Sequence, residues 1–249
     1  MQEYWEIYMK NLEGEVASVL FNAGISLGID EFMGTYPTVA FVKLILKEPK
    51  ENGLLSKDEE SKILFLEDKL EASMLKFRIG RYVGRIITNG SVTFIYYLQF
   101  TYNWQDFLEF ALKESSHYEM TSGFSQDSEW NYYKNLLYPT PKEWQLIQNH
   151  KVCKTLIENG DNLKVARAIE HKLFFGDESK KEELIEELKR DGFIIQNDIE
   201  NENGVRGVSF YRLDRPFYHD IDELTLNLID TLELYGASYD GWETSVVSS

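Results

Sequence analysis

Two Asn-Gly pairs, Asn89-Gly90 and Asn203-Gly204, constrain this chain more than any other feature. Asn-Gly accepts positive φ at both residues, which is what a type I′ turn between antiparallel strands requires. The first pair alone separates two β-rich runs, Gly80 to Thr88 and Ser91 to Phe100; the second ends a loop between Phe193 to Ile199 and Val205 to Leu213 and marks a second hairpin. Each hairpin therefore demands partners that cover its apolar face, and the flanking sequence supplies them twice in the same order.

Before the first hairpin, Val39 to Leu46 reads as an apolar strand. Ser56-Lys57-Asp58-Glu59 then has the Ser-x-x-Glu form of a capping box, and Ile63, Leu66, Leu70, Met74 and Phe77 carry the apolar face of the helix it starts. After the hairpin, Asn103 or Asp106 can cap a helix running through His117, with Trp104, Phe107, Leu108 and Ala111 inward, and Tyr118 to Phe124 reads as a closing strand. The second pass has a strand from Lys164 to Phe174 and a helix from Ser179 to Arg190, with Leu184, Ile185 and Leu188 inward. Its last helix carries Ile221, Leu224, Leu228, Leu232 and Tyr235 at helical spacing, and Gly236 stands where a C-cap belongs. Tyr239 to Val247 follows as an edge strand, favoured by β-branched Thr244, Val246 and Val247.

Both passes read β-α-β-β-α-β, which predicts an α+β chain of two ferredoxin-like sandwiches in tandem, two helices covering one face of a four-stranded antiparallel sheet in each. An extra hairpin around Gly14, from Tyr4 to Met9 and Glu15 to Phe21, is expected ahead of the first pass, with Trp5, Ile7 and Met9 alternating against polar neighbours. Between the passes, Gln126 to Pro141 is too aromatic for a free linker and reads as a packed connector, followed by a helix from Lys142 to Asn159. The expected domains are residues 1–138 and 139–249, in keeping with a length of 249 residues.

Composition narrows the function classes. A formal charge of −16, with both halves acidic, repels phosphate backbones and favours solubility or a basic protein partner. Cys153 is the single cysteine, which excludes an intrachain disulfide and leaves a cysteine-based metal site short of ligands. The first residues lack a basic segment leading into an apolar core, and no apolar run approaches the ~18 residues of a membrane span, so a cytoplasmic protein with no membrane contact is expected.

Candidate chemistry is sparse. His117, His150, His171 and His219 show no His-x-x-x-His pair, and no metal or cofactor is predicted. His171 shares a strand face with Val165, Arg167, Ile169 and Leu173; a polar pair there either lines an uncovered face or sits in a hydrogen-bonded network. Asp198, Glu200 and Glu202 do not form an EF-hand loop, because Gly204 falls one position late and no bidentate Glu closes it. Arg206-Gly207-Val208-Ser209-Phe210-Tyr211-Arg212-Leu213 imitates an RNA-recognition strand, but Val208 and Leu213 stand where stacking aromatics belong, and direct nucleic-acid binding is not expected. No nucleophile motif, phosphate loop or dinucleotide fingerprint appears, so no catalytic residue is assigned.

Gly160-Asp161 through Arg167, Ile169 and His171, the Asp191-Gly192-Phe193 helix exit and the terminal Tyr239-Asp240-Gly241-Trp242-Glu243 together resemble the regulator of ribonuclease activity B family. The resemblance implies a cytoplasmic, non-catalytic protein that binds ribonuclease E and inhibits its endonucleolytic activity. Trp5, Gly53-Leu54-Leu55 and Leu66-Glu67-Asp68-Lys69-Leu70 resemble a bacterial domain of unknown function found ahead of that module. The expected partner is thus a protein, a ribonuclease on this resemblance, and the candidate interface is Arg167, His171, Tyr239, Asp240 and Trp242. Trp242 either anchors a partner or fills the core. The rival from another class is a small-ligand-binding or hydrolytic enzyme that uses carboxylates and His171, with a deep polar cleft between the modules and His171 on its wall.

Overall fold

A computed structural model describes residues 4–113 and 118–248, so His117 lies outside the described residues. The chain divides into two compact units, Met1–Pro139 and Thr140–Ser249. Both are mixed α+β, one built on a six-stranded and the other on a four-stranded antiparallel sheet.

In the first unit β1 (Trp5–Leu12) and β2 (Glu15–Asn22) form the hairpin around Glu13-Gly14, whose φ angles of 54° and 94° are both positive. A short helix α1 (Ile29–Thr35) leads to β3 (Thr38–Ile45), the long helix α2 (Lys57–Phe77), β4 (Gly80–Thr88), β5 (Ser91–Leu98), α3 (Trp104–Leu112) and β6 (Met120–Gln126). The sheet order is β1-β2-β4-β5-β3-β6, so the early hairpin extends the expected four strands to six by pairing β2 with β4. Thr88 faces Ser91 across Asn89 and Gly90, with φ of 45° and 65°, the two-residue turn that Asn-Gly favours.

The helix side of this sheet buries Ala40, Val42 and Leu44 of β3 and Val92, Phe94 and Tyr96 of β5 beneath Ile63, Leu66, Leu70, Met74 and Phe107. The opposite side is covered too. Trp130 lies 3.8 Å from Tyr97 in a parallel stack and donates its indole N–H to the Tyr36 carbonyl, while Tyr133 donates its hydroxyl to the carbonyl of Asn22. The aromatic stretch after β6 is therefore a second lid on the first sheet, which explains why Phe94 to Leu98 is apolar at every position instead of alternating.

Two local readings are corrected. Along β1 the buried residues are Glu6 and Tyr8, whereas Ile7 and Met9 are exposed. On the Ile7 face of this edge strand only Trp5 is covered, stacked on Tyr82, while Tyr8 on the other face donates its hydroxyl to the Leu137 carbonyl of the aromatic lid. The Ser56 capping box also does not form: Ser56 makes no cap bond, and Glu59 accepts from the backbone N–H groups of Lys47 and Glu48 and from the Tyr118 hydroxyl. A carboxylate at the third helical position is stabilised at this end of the helix dipole whichever donors it meets, and here the incoming loop offers better ones.

The second unit begins with α4 (Pro141–Glu158), which carries the capping box that does form: Thr140 accepts from the Glu143 N–H and Glu143 accepts from the Thr140 N–H. β7 (Arg167–Phe175), α5 (Lys181–Arg190), β8 (Ile194–Glu200), β9 (Arg206–Asp214), α6 (Tyr218–Leu234) and β10 (Ala237–Glu243) follow. The order β10-β7-β9-β8 places β7 centrally. Leu184 and Leu188 of α5 and Ile221, Leu228 and Leu232 of α6 bury Ile169, Leu173, Val208 and Phe210. The β-branched tail expected in the last strand lies past its end: β10 stops at Glu243, and residues 244–248 follow a separate path.

Candidate functional site

Every candidate interface residue lies on β7 or β10, and a single irregularity decides how they are displayed. Tyr239 pairs with Leu173, but Gly241 pairs with Lys172, so Asp240 is an extra residue with no partner across the ladder. In a regular strand, Tyr239 and Trp242 would point to opposite faces, because side chains alternate. The bulge turns both toward the helices, where they pack half-buried against the core, and leaves Asp240 exposed at the edge. Gly241 adopts φ 106°, a conformation that favours glycine, which makes Asp240-Gly241 the sequence signal of the bulge.

His171 faces Trp242 across the strand pair and has no solvent exposure. It stacks on Phe210 at 5.4 Å, meets Phe193 edge-on at 5.7 Å, and shares a 2.7 Å hydrogen bond between Nδ1 and the Tyr239 hydroxyl. Its Nε2 has no partner among the described residues. Burial drives its pKa down to about 3, with Asp214 opposing and Arg212 reinforcing the shift, so the ring is neutral at physiological pH. This placement removes the reading in which His171 lines a polar cleft as a base. It also removes Phe210 from base stacking, since that ring lies under the helices.

Arg167 opens β7 with 8% of its surface exposed. Its Nη2 donates to both Asp161 carboxylate oxygens at 2.9 and 2.8 Å, its Nη1 to the Val165 carbonyl and its Nε to the Thr244 hydroxyl. Asp161 Oδ2 also accepts from the Val247 N–H at 2.6 Å. One buried ion pair thus ties the start of the central strand to the tail beyond β10.

Trp242 donates its indole N–H to Asn149 Oδ1 at 2.8 Å. Asn149 is fully buried on α4 and donates in turn to Asp222 and to the Thr225 hydroxyl on α6, while Asp222 also bonds His150 at 2.9 Å. This network was not foreseen. Its readable signal was Asn149 itself, a polar residue in register with Cys153 and Leu156 on the buried face of α4. Cys153 is enclosed, its thiol donates to the Pro216 carbonyl, and burial raises its pKa to about 11, so it is no nucleophile at neutral pH. Replacing Trp242 by Phe keeps the ring but withdraws one donor from Asn149, which still accepts from Gln145. The expected loss is about 1–2 kcal/mol in urea unfolding.

His219 is exposed, and among the described residues no group of three or more His, Cys, Asp or Glu side chains could hold a metal ion. No described helix is long and apolar enough to cross a membrane.

These features define a two-unit α+β protein whose second unit ends in a bulged edge strand clamped from beneath by buried polar networks. The chain belongs to the family of unknown function DUF695, whose model matches residues 3–138. Residues 146–244 match the family model for regulator of ribonuclease activity B, in agreement with both resemblances seen in the sequence. No curated protein matches the chain. Among solved structures, an unknown protein from Galdieria sulphuraria is 12% identical, with 84% of this chain and 99% of that one covered, at a TM-score of 0.23, which supports no argument about fold.

Proposed function

We propose that this protein is a non-catalytic, cytoplasmic regulator that binds a ribonuclease of the ribonuclease E type through residues 139–249 and restrains its activity. The match of residues 146–244 to the regulator of ribonuclease activity B model carries this reading. In it, residues 1–138 form the first domain and both modules are ferredoxin-like; the run β6-β3-β5-β4 of the first sheet and β10-β7-β9-β8 of the second follow the same 4-1-3-2 order, counted within each β-α-β-β-α-β set.

The proposed contact surface is the bulge, with Asp240 reaching a partner and the rims of Tyr239 and Trp242 providing aromatic area beside it. Arg167 and His171, being buried, serve from within by holding the two strands and the tail in place. The acidic balance favours a basic docking segment on the partner and speeds encounter with it.

Titration of the purified chain into a ribonuclease E-type endonuclease cutting a fluorescent RNA is expected to give saturable inhibition. Asp240→Lys is expected to weaken it about tenfold with no change in Tm, since an exposed charge contributes to association but little to folding. Absence of both binding and inhibition at micromolar protein would defeat the proposal.

A further inference from the structure

Of the eight arginines in the chain, six have a carboxylate within ion-pair distance: Arg85, Arg167, Arg190, Arg206, Arg212 and Arg215. Arg78 and Arg81 have none among the described residues, although the chain holds 42 acidic side chains. Both line one cavity of about 640 Å³ in the first unit, between α1, the C-terminal end of α2 and the start of β4. That volume is in the range of small-molecule sites.

The backbone aims both guanidinium groups there. Arg78 caps α2 at φ 53° and ψ 32°, a left-handed position usually taken by glycine, and its N–H donates to the Met74 carbonyl. Gly80 then passes so close to β5 that a side-chain carbon would sit 2.5 Å from the Tyr97 carbonyl oxygen, which turns the chain sharply into β4. Arg81 emerges over the rings of Phe32 and Tyr36, at 5.3 and 5.8 Å from their centroids. A cation–π contact of this kind holds a guanidinium near the rings and leaves N–H groups able to donate. Glu71 is the one acidic residue on the wall, so the cavity is positive in a protein of charge −16. The remaining wall is mixed, with polar Asn22 and Gln99 beside an apolar part formed by Ile25, Phe32, Met74 and the well-exposed Leu75.

We infer that this cavity binds a small organic anion, a phosphate or carboxylate attached to a ring or other apolar body, with Arg78 and Arg81 holding the acid group and the Phe32–Leu75 wall holding the body. The left-handed Arg78 strengthens the assignment: glycine would be conformationally easier there, so the residue present is the one whose side chain has a use.

The full chain titrated with 8-anilinonaphthalene-1-sulfonate, an aromatic anion, is expected to show saturable one-to-one fluorescence enhancement, reversed by phenyl phosphate or benzoate and not by phenol. Arg78→Gly and Arg81→Ala are each expected to weaken the probe about tenfold, the loss of one charge-assisted contact. Lys76→Gln, outside the cavity, is expected to leave binding unchanged. Arg78→Gly should keep or raise the Tm, which separates lost binding from lost folding. No binding, displacement by phenol as effective as by phenyl phosphate, or unaltered affinity in both arginine variants would overturn the inference.

Discussion

Acidification from neutral pH toward pH about 3 is expected to remove roughly 4 kcal/mol of stability from the second unit through His171 alone. The ring titrates near 6.5 in an unfolded chain, but its folded pKa is lowered to about 3, because protonation would put a charge among Phe193, Phe210 and Tyr239. Between those two pKa values the unfolded state binds the proton and the folded state does not. Stability is therefore complete above about pH 6.5, falls progressively as the pH drops, and loses no more from this residue below pH about 3. Native-state hydrogen exchange of the β7 and β9 amides, compared between wild type and His171→Leu, isolates the effect from other carboxylates that titrate in the same window. The variant should show a flatter profile. Parallel profiles would mean that the histidine is not held neutral in the folded unit.

The second large effect is expected from the buried pair at the start of β7. Asp161→Ala leaves the guanidinium of Arg167 enclosed without its counter-charge and deprives the Val247 N–H of its acceptor. Breaking a buried pair from one side costs about 3–5 kcal/mol, much of it from the stranded charge. The double variant Asp161→Leu with Arg167→Met is expected to recover most of that loss, because an apolar pair of similar volume needs no solvation. Urea unfolding of the four species in the cycle gives the coupling. Limited proteolysis adds a spatial test: residues 244–248 should become cleavable in Asp161→Ala, since Thr244 and Val247 are both held through this pair. If the single and double variants are equally unstable, the loss does not come from the stranded charge of Arg167.

Both experiments concern the residues that support the proposed docking edge without touching a partner. Loss of inhibition in Asp161→Ala, together with tail release, would mark Arg167 as a positioning residue. Asp240→Lys tests the contact itself at a site where folding is indifferent.

Much of this architecture was legible locally. Asn89-Gly90 specifies a two-residue turn because both backbones accept positive φ, and the stripes Ile63-Leu66-Leu70-Met74 and Ile221-Leu224-Leu228-Leu232 specify helices because only a 3.6-residue period gathers them on one face. Such information resides in neighbouring residues, so no tertiary knowledge was needed to read it. The candidate interface residues Arg167, His171, Tyr239, Asp240 and Trp242 could also be placed on two strands of one sheet.

Their exposure could not be read in the same way. Alternation along β1 pointed to Ile7 and Met9 as buried, yet coverage of that edge comes from the lid around Leu137, more than a hundred positions away. Ser56 and Thr140 both head a capping-box pattern, and only long-range competition for Glu59 by the loop at Lys47 and Glu48 distinguishes them. Whether Tyr239 and Trp242 share a face depends on one inserted residue at Asp240, and whether His171 is a base or a neutral core ring depends on Phe193 and Phe210 arriving from β8's approach and from β9. Periods and turn residues are properties of a short stretch of chain. Burial, and the protonation that follows from it, belong to whatever distant segment comes to lie on top.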